Sequence, residues 1–293
     1  MDAVYKQFAP GRAQEFELYS GVLQRIPGYV PKLLLWTRTA DEPGILIEDV
    51  GRPLKELLRD LDTVTSTRMT TNTRMAVQIQ LLQQAAVWLA QLHIQYEALS
   101  QTWLQSGLLG EYPFDSSQTW ADEALEHLHW LQEQGLCQIG PDTISFIQTV
   151  VKKFYSEYPK WLVGRVTVTH GDPHLENVLV THQGDEFRLI DWEYTCVTVP
   201  QRDLSIFVQD VLDARLHEMV VKTYWDAMRE AGWNVDGPEF RTTYLACLLD
   251  NTFMMLGWEI YKFREHYLTL AELEIIVAVK LSWIKAVFAE LFG

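Results

Sequence analysis

Two carboxylates and an amide, set at short intervals between apolar runs, carry most of the chemistry this chain could do. The run Val166-Thr-Val-Thr-His170-Gly-Asp172-Pro-His174-Leu-Glu-Asn177-Val-Leu-Val180 passes through a turn into Phe187-Arg-Leu-Ile-Asp191-Trp-Glu193. A β-prone lead-in delivers Asp172 in a polar loop, Asn177 follows five residues later, and Asp191 ends the next apolar run. A proton acceptor beside two hard oxygen ligands is what a magnesium–nucleotide complex and a hydroxyl acceptor require, so the stretch reads as a phosphoryl-transfer site.

The elements that must position these groups follow from the pattern. Val178 to Thr181 and Phe187 to Ile190 are short β-prone runs joined by His-Gln-Gly-Asp-Glu, a turn-rich connection. A hairpin folded about Gly184 pairs residues whose numbers sum to 368, which puts Asn177 opposite Asp191. Asp172 then lies in the loop before the same open end. The competing reading is a surface hairpin whose Asp and Asn only form turns.

Further upstream, Val4 to Phe8 alternates like a strand, Pro10-Gly11 breaks it, and a helix is expected from Ala13 to Arg25. On that helix Glu15, Leu18, Tyr19, Val22 and Ile26 share one face, so Glu15 heads an inward stripe. A buried carboxylate needs a partner, and Lys6 on the preceding strand is the available cation. Leu33–Thr37 and Gly44–Ile47 read as two further strands. Helices are expected over Thr73–Tyr96, Trp120–Gln134, Asp142–Glu157, Leu204–Ala231, Glu239–Lys262 and Leu270–Leu291.

His170-Gly171-Asp172 with Asn177, followed by Ile190-Asp191-Trp192-Glu193, resembles the aminoglycoside phosphotransferase and choline kinase superfamily. The resemblance implies an α+β, protein-kinase-like two-lobe fold with a truncated N-terminal lobe, about residues 1–50, and a mainly helical C-terminal lobe, 51–293. It implies Asp172 as the catalytic aspartate, and Asn177 and Asp191 as magnesium ligands. It further implies that Lys6 and Glu15 form the lysine–glutamate pair at the nucleotide phosphates, and that backbone of Glu48 to Val50 meets the adenine edge. His170 braces the loop, Asp203 caps the helix after the metal loop and braces the catalytic loop, and Glu193 is split between a site contact and surface exposure. The implied reaction uses ATP with Mg2+ as cofactor and moves a phosphoryl group to a small-molecule hydroxyl. Asp250, Trp258 and Glu259 are candidate acceptor contacts. Met1 stands five residues before Lys6. Against the family's two glycine-rich strands this leaves two expectations: the start is a truncation or a misassigned Met, or the nucleotide is held without that lid and its binding leans on Lys6 and magnesium. A catalytically impaired nucleotide-binding pseudokinase is the alternative, and the absence of an Asp-Phe-Gly segment argues against a protein kinase proper.

Composition bounds the rest. A chain of 293 residues with 48% hydrophobic and 22% charged residues suits a globular protein with a substantial core. Net charge of −15 argues against nucleic acid as partner. The acidity sits in residues 61–293, with 16 Lys plus Arg against 30 Asp plus Glu; this suits an amine-bearing acceptor or simply a solvated surface. Three scattered cysteines, Cys137, Cys196 and Cys247, fit reduced thiols. No apolar run long enough for a membrane span and no secretory leader is evident, so the expectation is a cytoplasmic protein. His93 reads as a satisfied core histidine.

Overall fold

The computed structural model describes residues 2–8, 14–38, 43–63, 71–184, 186–233 and 236–293. In chain order the elements are β1 (Ala3–Gln7), α1 (Gln14–Ser20), β2 (Leu33–Arg38), β3 (Pro43–Glu48), β4 (Gly51–Pro53), α2 (Leu54–Thr63) and α3 (Thr71–Gln105). There follow α4 (Phe114–Glu133), α5 (Pro141–Trp161), β5 (Thr167–Thr169), β6 (Val178–Thr181), β7 (Phe187–Leu189) and β8 (Cys196–Thr198). The chain ends with α6 (Gln201–Phe207), α7 (Ala214–Glu230), α8 (Gly237–Arg264) and α9 (Leu270–Phe292). They form two compact units, residues 1–111 with 166–233, and residues 112–165 with 234–293.

The first unit opens with an antiparallel sheet ordered β1-β3-β2. Ile45 and Ile47 alternate inward from the central strand, and Phe16 and Tyr19 of α1 are buried with them. The helix expected from Ala13 to Arg25 is interrupted. Helix α1 stops at Ser20, Gly21 N shares a bond between the carbonyls of Glu17 and Leu18, and a 3-10 turn at Leu23–Arg25 takes over. Glycine is a poor helix former, which explains the break. The Pro10-Gly11 break and the expected start at Ala13 lie outside the described residues.

A second sheet, ordered β4-β6-β7, carries the hairpin, and β5 pairs with β8. Strand β4 was not evident in the sequence because three residues carry no periodicity. Gly51 at its start has φ +154°, and a Cβ there would lie 1.8 Å from Val180 O of β6. Behind the sheets α3 buries Leu82, Ala86, Leu89 and Leu92 and packs against α7, whose Val220, Tyr224 and Met228 recur every fourth residue. The single helix expected over Leu204–Ala231 is two. Helix α6 ends at Phe207, a 3-10 turn spans Val208–Asp210, and Asp213 caps α7 by accepting from Arg215 N and Leu216 N at 2.8 and 3.4 Å.

The second unit packs α8 against α4, α5 and α9. Its core holds an unusual group, the 2% exposed Asp250, which accepts from the hydroxyls of Tyr155 (2.7 Å), Tyr158 (3.0 Å) and Tyr112 (3.3 Å). Glu259 is buried beside Lys262 at 3.2 Å, while Trp258 is half exposed and stacks on Tyr261. Cys137, half-buried, and Cys196 and Cys247, both buried, form no disulfide among the described residues. No described helix is long and apolar enough to cross a membrane.

The closeness of β4 to β6 gives a direct test. Gly51→Ala must displace the β6 backbone as well as hold a left-handed conformation, so it should lower the unfolding free energy by at least about 2 kcal/mol. Gly28→Ala has positive φ but open space within 4 Å, so it should cost only about 1 kcal/mol. Urea titration of both variants measures the difference; equal losses would refute the steric account.

Candidate functional site

All of the residues singled out around the Asp172 loop lie in the first unit. Strand β5 delivers the loop through buried Val168 and Thr169, and the backbone amides of His170 and Gly171 then donate to Asp203 at 2.7 and 2.9 Å. Gly171 adopts φ +88°, with Tyr194 O only 2.2 Å from where a Cβ would stand. Asp203 braces the catalytic loop as expected, but it is not the cap of the helix that follows. It sits in the first turn of α6, behind Pro200, and spends its carboxylate on the loop. Burial alone would raise its pKa, but the donors from His93 and Gly171 outweigh burial and hold it below the ordinary range.

His170 is fully buried. Its Nε2–H donates to Ile190 O at 2.9 Å and its Nδ1 accepts from Asp172 N at 3.2 Å. Burial lowers its pKa to about 4, so the ring is a neutral brace between the loop and the end of β7. That agrees with the sequence reading. The far end of the loop is held by a residue the sequence reading missed. Lys55 of α2 bridges Glu176 (2.8 Å) and Asp210 (2.9 Å), and Asp210 also accepts from Leu175 N at 3.1 Å. A helix-first-turn lysine and an aspartate in a helix break were the available signals, both too common to single out.

Between these two anchors the chemistry-bearing groups converge. Asn177 Nδ2 donates to Asp172 O at 2.9 Å and to its Oδ2 at 3.3 Å. The expected pairing of Asn177 with Asp191 is off by one. Val178 faces Leu189 and Val180 faces Phe187, sums of 367, so Asn177 comes opposite Ile190, whose N donates to Asn177 O at 3.1 Å. The physical reason is the turn: Thr181 pairs with Glu186, leaving a connection of even length where an odd one was expected. Asp191 still reaches the cluster because it leaves the strand in the left-handed conformation, φ 65° and ψ 60°.

Lys6 and Glu15 complete the group. Lys6 Nζ lies 2.5 Å from Glu15 Oε2 and is also paired with Asp191 Oδ1, so one ammonium ties β1, α1 and the hairpin end together. Glu15 is 2% exposed, and its Oε1 is buried without a hydrogen-bond partner. Burial pushes the Glu15 carboxyl up even beside Lys6. Asp172 is pushed up to about 8, first by burial and then by Asp191, Asp203, Asp210 and Glu193. His174 Nε2 is 3.6 Å from Asp172 Oδ2. Glu48 and Val50 sit where the chain leaves β3, and their backbone bonds run elsewhere: Glu48 N to Lys32 O, and His182 N to Val50 O.

The donor set suits a hard divalent cation. Asp191 is half exposed and Asn177 offers an amide oxygen, both oxygen ligands, and several carboxylates crowd the spot. No set of three or more His, Cys, Asp or Glu side chains arranged for a metal occurs among the described residues. Two protein oxygens suit Mg2+ shared with phosphate better than a closed protein cage.

Residues 4–238 match the model of the phosphotransferase enzyme family, APH. No curated protein matches the chain. Among solved structures, a choline/ethanolamine kinase family protein from Mesorhizobium loti aligns with TM-score 0.58 at 15% identity over 100% of this chain and 87% of that one. Choline kinase LicA from Streptococcus pneumoniae aligns with TM-score 0.54 at 15% identity, over 98% and 86%, and is also similar in its AMP complex. The aminoglycoside phosphotransferase APH(3'')-Id from Streptomyces rimosus, in complex with ADP and streptomycin, aligns with TM-score 0.50 at 14% identity over 86% and 87%. Identities this low speak for the fold, and the family match over most of the chain speaks for descent. The chain belongs to the phosphotransferase enzyme family, APH, and has the protein-kinase-like α+β fold that it shares with the choline kinase and aminoglycoside phosphotransferase structures.

Proposed function

We propose that this protein transfers the γ-phosphoryl group of ATP to a hydroxyl of a small molecule. The observation that carries the reading is the convergence of Asp172, Asn177 and Asp191 on one side of the hairpin with the Lys6–Glu15 pair. Asp172 accepts the acceptor's hydroxyl proton, while His170 and Asp203 fix the loop that carries it. Asn177 and Asp191 would hold Mg2+, which would supply charge neutralisation at the nucleotide phosphates. Lys6, oriented by Glu15, contacts the phosphates, and the backbone from Glu48 to Val50 meets the adenine. Residues 1–50 are the nucleotide-binding lobe and 51–293 the catalytic and acceptor-binding part. Complexes of similar folds with ADP, streptomycin and AMP support nucleotide and small-molecule use. The acidity of residues 61–293 favours an amine-bearing acceptor. Three cysteines outside any disulfide suit action in the cytoplasm.

The direct test is a coupled assay of ATP consumption over a panel of amino alcohols and sugars, with Asp172→Asn as control. The variant should lose about 100- to 10,000-fold in turnover, as expected for removing an acid/base group, and keep Mg-nucleotide affinity by calorimetry. Undiminished turnover would remove Asp172 from the reaction.

Lys6 gives a prediction of opposite signs. Its ammonium pairs with a carboxylate oxygen of Asp191, so it opposes a cation there and attracts phosphate. Lys6→Ala should bind Mn2+ alone more tightly and Mn-ATP more weakly, each by about tenfold, the effect of roughly 1.4 kcal/mol. Water-proton relaxation titrations report both. A parallel change in the two affinities would contradict the shared site.

The raised pKa of Asp172 predicts a pH dependence of stability. Between the ordinary carboxylate range and about 8, the native chain holds a proton that the unfolded chain lacks. Stability of the metal-free protein therefore falls as pH rises through this window, by at most about 1.4 kcal/mol per unit from this group, and levels off above it. Asp172→Asn removes that slope, so its melting temperature in EDTA should gain on the parent's from pH 5 to pH 8. A constant difference would refute the assignment.

A further inference from the structure

Tyr224 of α7 is fully buried and has no role in the site described above. Its hydroxyl lies 2.6 Å from His93 Nδ1, and the opposite nitrogen of that ring, Nε2, lies 3.0 Å from Asp203 Oδ2. Three elements thus form one line, α7 through α3 to α6, ending on the carboxylate that holds the His170 and Gly171 amides. His93 is further fixed by Thr167 of β5, whose hydroxyl donates to His93 O at 2.7 Å.

The proton positions along the line are set by its ends. An ionised carboxylate only accepts, so the proton between Asp203 and His93 belongs to Nε2. Burial and the Asp203 charge raise the Tyr224 phenol well above its ordinary range, so its O–H remains a donor. Nδ1 is then the acceptor, and the ring is the Nε2–H tautomer. The other tautomer would set a nitrogen lone pair against Asp203 Oδ2 and two donors against each other at Tyr224. In a site without water access, such mismatches cost most of a buried hydrogen bond each.

We propose that Tyr224 is a positioning residue for the catalytic loop: by donating to His93 Nδ1 it selects the tautomer that gives Asp203 its third donor, and so holds the His170–Gly171 backbone that sets Asp172. The proposal rests on the phosphoryl-transfer reading only in what the loop is for. Tyr224 acts through His93, with which it makes its hydroxyl and ring contacts. Its ring meets that of His93 edge-on at 5.8 Å, a contact that Phe preserves, so Tyr224→Phe isolates the hydroxyl.

The experiment is ring-nitrogen NMR of the full-length, nucleotide-free protein. His93 should show the Nε2–H tautomer in the parent and a mixture in Tyr224→Phe. Hydrogen-exchange protection of the His170 and Gly171 amides should fall about tenfold in that variant, the worth of one hydrogen bond. Tyr158→Phe, which removes a buried hydroxyl from the second unit, should leave those two amides unmoved. If Tyr224→Phe does not fold, His93→Gln and His93→Leu take its place. Glutamine can accept from Tyr224 and donate to Asp203, so it should retain the protection that leucine loses. An Nδ1–H tautomer in the parent, unchanged loop amides in Tyr224→Phe, or equal protection in the two His93 variants would overturn the proposal. Mg-ATP turnover in Tyr224→Phe should fall about tenfold with KM for ATP within twofold. Absence of turnover in the parent would count against the phosphoryl-transfer reading, while the tautomer and amide results would still decide the role of Tyr224.

Discussion

Too many carboxylates share one small region of the first unit, and the local structure is largely the set of answers to that crowding. Asp172, Asp191, Asp203, Asp210, Glu15 and Glu176 all belong to the loop, the hairpin end or their immediate anchors. Two lysines and one set of N–H donors answer for five of the six. Asp203 uses backbone N–H dipoles and His93; Asp210 and Glu176 share Lys55; Glu15 and Asp191 share Lys6. Asp172 has only the neutral amide of Asn177 and a histidine 3.6 Å away, so burial and then the charges of Asp191, Asp203, Asp210 and Glu193 drive its pKa up to about 8. The group with the weakest compensation is the one best able to take up a proton near neutral pH.

Two buried carboxylates show how the same residue type serves different ends. Asp203 spends its oxygens on backbone amides, so it fixes where a loop goes. Asp250 in the second unit spends its oxygens on tyrosine hydroxyls from α5 and the segment before α4, so it fixes how helices pack. In the sequence both are an aspartate in a helical stretch. What separates them is which donors the tertiary structure brings, and no local pattern encodes that.

The strongly periodic parts of the chain were legible. Strands β2, β3, β6 and β7 and helices α5, α8 and α9 lie close to where alternation and helical spacing put them, because burial of one face dominates their energetics. The Lys6–Glu15 pair was legible for the same reason: a carboxylate on an apolar helix face demands a cation. Breaks were less so. Gly21 and the cap at Asp213 divide runs whose apolar spacing continues across them, and β4 is too short for any period. Lys55 and Asp210 were invisible because an ion pair between elements separated by 155 residues leaves no local trace.

The register of the hairpin is the most instructive error, because the site forms despite it. Successive side chains of a strand alternate faces, so a one-residue shift moves every group to the other side. With Ile190 opposite Asn177, a strand continued regularly would carry Asp191 away from Asn177. The chain avoids this by ending β7 at Leu189 and turning Asp191 into the left-handed region, a conformation that aspartate tolerates better than most residues. Lys6 and the His170–Ile190 bond then hold the turned end in place. The backbone conformation of one residue thus restores what the register removes. An aspartate at position 191 serves twice, as the chemical group and as a residue able to make the turn that presents it.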